Sequence, residues 1–148
     1  MITVSRTLQV APSPSVVFAY LEDFTRTQEW DPGTVTTTRS DPPGTALGVG
    51  AHFHNVSTYR GRETQLDYVC TVHEQDRHLV FEGRNRTVHA ADDLTLAPSA
   101  TGGTVVTYRA RFAFQRWVRY VEPFLRRGFE PIADETVARL TEVLDRLP

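Results

Sequence analysis

Asp92 stands on the apolar side of an alternating stretch. Within 88–96, Val88, Ala90, Leu94 and Leu96 share its face, because alternate side chains of an extended strand point to opposite sides. A carboxylate held against apolar neighbours has a raised pKa unless it is paired. That suits it to give or take a proton near neutral pH. The competing reading makes Asp92-Asp93 a bulge or a frayed strand start, with both acids in water. Asn55, Tyr59, Tyr68 and Tyr108 fall on inward faces by the same parity and carry groups that can bond a ligand carbonyl or hydroxyl. Each alone is more often a core side chain with a satisfied polar tip.

The histidines are the other candidates, since imidazole titrates near neutrality. His52 and His54 lie two apart on one strand, and His73 lies on a nearby one. That spacing suits a zinc site. Parity, however, predicts that all three face outward, with no inward carboxylate to orient them, so no metal is expected. His78 sits at a turn and His89 on a polar face. Arg84 and Arg86 lie near a strand end and read as solvated. Cys70 is the one cysteine, which excludes an intramolecular disulfide and a thiolate metal cluster.

Composition limits the remaining classes. The chain has 148 residues, 40% hydrophobic and 23% charged, and reads as one domain, 1–148. A chain of this size buries about 68–70% of its unfolded surface, enough for a core with a cavity. Its net charge of −2 gives no electrostatic case for nucleic acid or an anionic membrane as a partner. All basic residues are arginine, which high-GC coding explains. No apolar run approaches the ~20 residues of a membrane span, and no charged-then-apolar leader is present. A cytoplasmic location is expected on that ground.

Several elements must position these residues. Residues 2–10 alternate and predict a strand. In Val10-Ala-Pro-Ser-Pro-Ser-Val-Val-Phe-Ala-Tyr-Leu-Glu-Asp-Phe24, Ser13 is placed to cap a short helix over 13–21, with Pro14 at its first position. A second helical turn follows over 25–30, and Pro32 pushes Asp31 out of helical geometry. Strands are predicted at 34–41, 50–59, 63–74, 78–84, 88–96 and 104–114, separated by turns such as Thr101-Gly102-Gly103. Inward sets follow by parity. They are Ala51, Phe53, Asn55, Ser57 and Tyr59; then Leu66, Tyr68, Cys70 and Val72; then Leu79 and Phe81, with Gly83 and Asn85; then Val106, Tyr108, Ala110, Phe112 and Phe114. From Val118 to Leu147 apolar residues recur at three- and four-residue steps, predicting one amphipathic helix of nearly thirty residues. Gly128 and Pro131 predict a kink or a break near 127–131. Strand, two short helices, six strands and a long helix make an α+β chain. The single apolar stripe must cover the single apolar face of an antiparallel meander.

In this order and spacing the chain resembles the START/Bet v-type (SRPBCC) superfamily, and most closely its polyketide cyclase/dehydrase branch. The carriers are Ala11-Pro-Ser-Pro-Ser-Val-Val-Phe18, Trp30-Asp31-Pro32, Gly48-Val-Gly-Ala-His-Phe53, Thr71-Val-His-Glu-Gln-Asp-Arg-His-Leu-Val-Phe81, Gly102-Gly-Thr-Val-Val-Thr-Tyr108 and Ala138-Arg-Leu-Thr-Glu-Val-Leu144. The resemblance spans essentially the whole chain, although no single motif is specific. It implies a helix-grip fold, in which a curved seven-stranded sheet wraps the long helix around a cavity for an apolar or aromatic molecule. It does not imply one reaction.

Three functional readings follow. The first is binding of a hydrophobic or aromatic small molecule, lipid- or polyketide-like. It would be enclosed by Trp30, Phe53, Asn55, Tyr59, Leu66, Tyr68, Phe81, Tyr108, Phe112, Phe129 and Ile132, and no cofactor is expected. The Gly128–Pro131 stretch is placed to gate it or to form a static kink. The second is a cyclase, aromatase or dehydratase in the same cavity, with Asp92 or a tyrosine moving the proton. The third is a stress-related or partner-binding module, which needs an exposed apolar patch.

Overall fold

The structure, a computed structural model, describes residues 1–148 except for the side chains of residues 116–118. Val118, placed on the helical stripe by its spacing, lies outside the described side chains. Strand β1 (Ile2–Val10) leads into helix α1 (Pro14–Leu21), a 3₁₀ turn (Phe24–Arg26) and the single turn α2 (Thr27–Trp30). Six strands follow: β2 (Thr34–Arg39), β3 (His52–Tyr59), β4 (Arg62–Glu74), β5 (His78–Arg84), β6 (Val88–Pro98) and β7 (Thr104–Phe114). A 3₁₀ segment (Arg116–Val121) then opens helix α3 (Glu122–Asp145). The seven strands form one antiparallel sheet in the order β1-β7-β6-β5-β4-β3-β2. This is the helix-grip architecture. No helix among the described residues is long and apolar enough to cross a membrane.

The curl of the sheet is visible in one ring. Phe129 of α3 stacks on Tyr59 of β3 at 5.2 Å and on Phe112 of β7 at 4.7 Å. Those two strands are separated in the sheet by β4, β5 and β6. Only a sheet wrapped around the helix brings both to one side chain. Gly128 makes the contact possible, since a Cβ there would sit 2.0 Å from the Tyr59 hydroxyl. Gly128→Ala gains up to about 1 kcal/mol of helix propensity. It also expels Tyr59 from a stack worth roughly 0.5–1.5 kcal/mol. Stability is therefore expected to change by less than about 1 kcal/mol, while ring-current shifts of Phe129 and Tyr59 in the NMR spectrum collapse. Unchanged shifts would show that the stack tolerates a methyl group.

Local details depart from the sequence reading in four places. Ser13 occupies the cap position in an extended conformation, but its hydroxyl caps nothing and instead lies 3.2 Å from that of Ser15. The break expected near 127–131 is absent: α3 runs through Pro131, and the change of helix type comes earlier, at Val121. Pro131 is exposed, as is Arg127, whose carbonyl loses its donor, so water can replace the missing bond. The pairing of β4 with β5 shifts between Cys70 and Val72. This bulge reverses the parity beyond it, so Val72 joins the outer face opposite Val80 and His73 turns inward opposite Leu79. The bulge or fraying considered at Asp92-Asp93 does not occur. From Val88 to Pro98 the register with β7 is unbroken, with Asp92 opposite Ala110.

Candidate functional site

The unbroken register of β6 puts Asp92 on the inner face. Ala90 and Leu94, its neighbours on that face, are 2% and 0% exposed, whereas Asp92 keeps part of its surface accessible. Tyr108, on the adjacent strand and one step along, donates its hydroxyl hydrogen to Asp92 Oδ1 at 2.5 Å. Burial pushes the Asp92 carboxyl up to about 7, while the Tyr108 and Tyr68 hydroxyls pull it down and the nearby Asp31 charge raises it further. Both tyrosines are held well above the ordinary phenol range, first by burial and then by the charge of Asp92. They act as neutral hydroxyls at any physiological pH.

Asp31 was legible in the sequence only as a helix stop. It ends α2 in extended geometry, as Pro32 requires. Its Oδ1 accepts the Gly33 amide at 3.0 Å and its Oδ2 the Thr34 hydroxyl at 2.8 Å. Burial raises its pKa, against the Thr34 and Gly33 donors and the charge of Arg139. Two carboxylates thus share one electrostatic environment but differ in partners. Asp31 accepts from the Gly33 amide and the Thr34 hydroxyl, whereas Asp92 accepts from the Tyr108 hydroxyl on the apolar strand face.

Glycine sets the position of Tyr68. Tyr68 lies directly across from Gly83, and a Cβ at 83 would meet Cε1, Cε2 and Cζ of its ring at 2.7 Å each. The ring lies flat over the glycine and against Phe24, 4.7 Å between centroids. Phe24 also stacks on Phe81 at 4.3 Å and meets Phe53 edge-on at 5.7 Å. Trp30 is buried edge-on against Tyr108 at 5.8 Å. The site therefore has an aromatic floor beneath α1 and α2, and the Tyr59–Phe129–Phe112 stack at the other end.

Of the proposed lining residues, Trp30, Phe53, Asn55, Leu66, Tyr68, Phe81 and Tyr108 are buried, and Tyr59, Phe112, Phe129 and Ile132 are half-buried. The Asn55 side chain is spent locally. Its amide donates to the Thr37 hydroxyl at 2.8 Å and the Thr34 hydroxyl at 3.2 Å, and its carbonyl accepts from Ser57 at 2.6 Å. Thr37 passes the chain on to Thr27, whose hydroxyl donates to the Phe24 carbonyl. This buried relay ties β3 to β2 and α2. Core-facing α3 is represented by Ala133, Thr136, Leu140 and Leu144.

The histidines do not converge. His52 and His54 face outward, and His54 bonds Asp67 at 2.8 Å. His73, which the bulge turns inward, meets the Phe18 ring at 5.0 Å and Glu22 at 2.8 Å. The carboxylate that orients it comes from the helix, not the sheet. His78 pairs with Asp93 on the outer face at 2.8 Å. Among the described residues, no group of His, Cys, Asp and Glu has the arrangement to hold a metal ion. Burial pushes the Cys70 thiol up to about 11, so it is not a nucleophile at neutral pH. Two depressions, of about 150 and 220 Å³, open on the outer sheet face beside His89 and Arg111 and beside His52 and Arg84. Neither is the interior space expected from the sequence, and both fall below the ~300 Å³ where small-molecule sites begin.

Comparison with known proteins gives this geometry its context. No curated protein matches the sequence. Solved structures match it closely in fold. A START superfamily protein from Mycobacterium smegmatis has a TM-score of 0.78 at 11% identity, covering 97% of both chains. The Zhui aromatase/cyclase from Streptomyces sp. R1128 also reaches 0.78, at 12% identity over 97% of this chain and 93% of that one. The di-domain aromatase/cyclase BexL from the BE-7585A biosynthetic pathway reaches 0.71 at 10% identity, with 99% of this chain matching 51% of it. At these identities the likeness establishes the fold. The family model described as polyketide cyclase / dehydrase and lipid transport, however, matches residues 1–145, nearly the whole sequence that builds the sheet, the interior acid and the gripping helix, and to that family the chain belongs.

Proposed function

We propose that this protein binds an apolar or aromatic small molecule bearing a carbonyl or hydroxyl group between its sheet and α3, with that group on the Asp92–Tyr108 pair. One observation carries the reading: a protonatable acid bonded to a tyrosine, with accessible surface, on an otherwise apolar inner face. Apolar burial supplies the affinity and the pair supplies orientation. Family membership supports a ligand-binding or cyclase role. The Phe129 stack must part for a ligand to enter, because its rings lie between the helix and both flanks of the sheet.

A second reading rests on the near-neutral acid. With its pKa at about 7, Asp92 is suited to proton transfer at physiological pH. In a dehydration it would protonate a ligand hydroxyl as the C–O bond breaks, releasing water. It would then recover a proton from the carbon beside the ligand carbonyl as the C=C bond forms.

Isothermal titration with naphthols, hydroxyanthraquinones and fatty acids tests the first reading. Oxygenated aromatics are expected to bind with a negative heat-capacity change. Tyr108→Phe is expected to weaken them by about 5–10-fold, the size of one net hydrogen bond. Absence of binding across the panel, or binding indifferent to Tyr108→Phe, would refute the assignment.

A further inference from the structure

The entry to α3 displays aromatic rings to solvent. Tyr120 is 69% exposed and Phe124 77%, in a molecule whose other described aromatic residues are buried or half-buried. They lie four residues apart, Tyr120 at the end of the 3₁₀ segment and Phe124 in the first turn of α3, and both stand in solvent. Arginines surround them. Arg119, Arg126 and Arg127 are all exposed, and the Arg119 guanidinium lies over the Tyr120 ring, 5.0 Å from its centroid. Against these three cations residues 119–127 contain one acid, Glu122, so the segment is positive in a chain whose net charge is −2.

Rings and guanidinium groups interleaved on an exposed helix end match the boundary of a lipid bilayer. There the rings enter the acyl boundary and the arginines reach the phosphates. A protein partner would instead need a concave apolar surface to accept two protruding rings.

We propose that residues 119–127 dock on the headgroup region of an anionic bilayer, with Tyr120 and Phe124 inserted and Arg119, Arg126 and Arg127 on lipid phosphates. The inference is independent of the role given to Asp92. Flotation of the full chain with phosphatidylcholine vesicles, with and without phosphatidylglycerol, tests it. Recovery with the vesicles is expected only when phosphatidylglycerol is present, and is expected to fall as salt rises. Arg119→Ser and Arg127→Ser should each weaken binding about fivefold. Tyr120→Ser with Phe124→Ser should weaken it at least about tenfold, with the circular dichroism spectrum unchanged. Equal recovery with both vesicle types, no recovery with either, or a double variant that floats like the parent would overturn it. So would retention on immobilised polyglutamate without flotation, which would indicate an acidic protein partner instead.

Discussion

Asp92→Asn is expected to yield a more stable protein with impaired function. In the fold the carboxyl titrates at about 7, against 3.8 for an unhindered aspartate. Between those values the unfolded chain has released a proton that the folded chain retains. Stability therefore falls as pH rises through this window and levels off above it. At about 1.4 kcal/mol per unit the shift bounds the cost near 4 kcal/mol, and the partial accessibility of Asp92 reduces it to roughly 1–3 kcal/mol. Asparagine keeps an oxygen for the Tyr108 hydroxyl and carries no charge to bury. Urea unfolding from pH 4 to pH 8 should show the decline in the parent and a flatter profile in the variant. Identical slopes would mean that the carboxyl is ordinary in its titration.

The same variant separates the two functional readings. An Asp92 that only orients a ligand contributes one hydrogen bond to a charged or neutral group, so Asp92→Asn changes affinity by about tenfold. An Asp92 that transfers the proton contributes about 10²–10⁴-fold to turnover, and the variant loses that with affinity largely kept. Stabilisation with loss of function is the expected signature of a site that holds an unfavourable group for use.

Gly83→Ala is expected to have the larger structural effect. The added methyl would lie 2.7 Å from three atoms of the Tyr68 ring. That ring is 7% exposed and backed by Phe24, so it has no exit like the one Tyr59 has beside Gly128. Overpacking of this kind costs about 1–3 kcal/mol. In a Tyr68→Leu background the clash disappears, and alanine should be better than glycine in a strand by roughly 0.5–1 kcal/mol. The sign of the Gly83→Ala effect therefore reverses between backgrounds. Urea unfolding of the four proteins measures it, and additive effects would show that the glycine is not there for Tyr68.

Much of this site can be read from alternation alone. The inward sets of β3, β5, β6 and β7, including Asp92 and Tyr108, follow from a period of two that no bulge interrupts. Parity failed where β4 carries an extra residue, because Cys70-Thr71-Val72 has no composition that distinguishes a bulge from a regular strand. His73 and Val72 exchanged faces for that reason. Asp31 was visible as a turn residue but not as a partner of Asp92, since only the wrapping of the sheet brings the two together. Asn55 was assigned to a ligand by face, whereas its hydrogen bonds depend on Thr34 and Thr37 from another strand. The long helix was predicted from its stripe. Its tolerance of Pro131 depends on which side of the helix the proline occupies, and Pro131 occupies the exposed side.

The place of β1 in the sheet has a consequence for how the molecule is made. Strands β2 to β7 each pair with the strand before or after them, but β1 pairs only with β7, joining Ile2 to Phe112. During synthesis β1 emerges first and waits for a partner about a hundred residues away, roughly 5–20 s at ordinary elongation rates. Throughout that interval the apolar residues Ile2, Val4, Leu8 and Val10 lack the β7 partner that buries and pairs them in the fold. Pairing across so long a separation makes sheet closure the slow step of folding. Nascent chains stalled before residue 104 are thus the form of this protein most prone to aggregate and most in need of a chaperone.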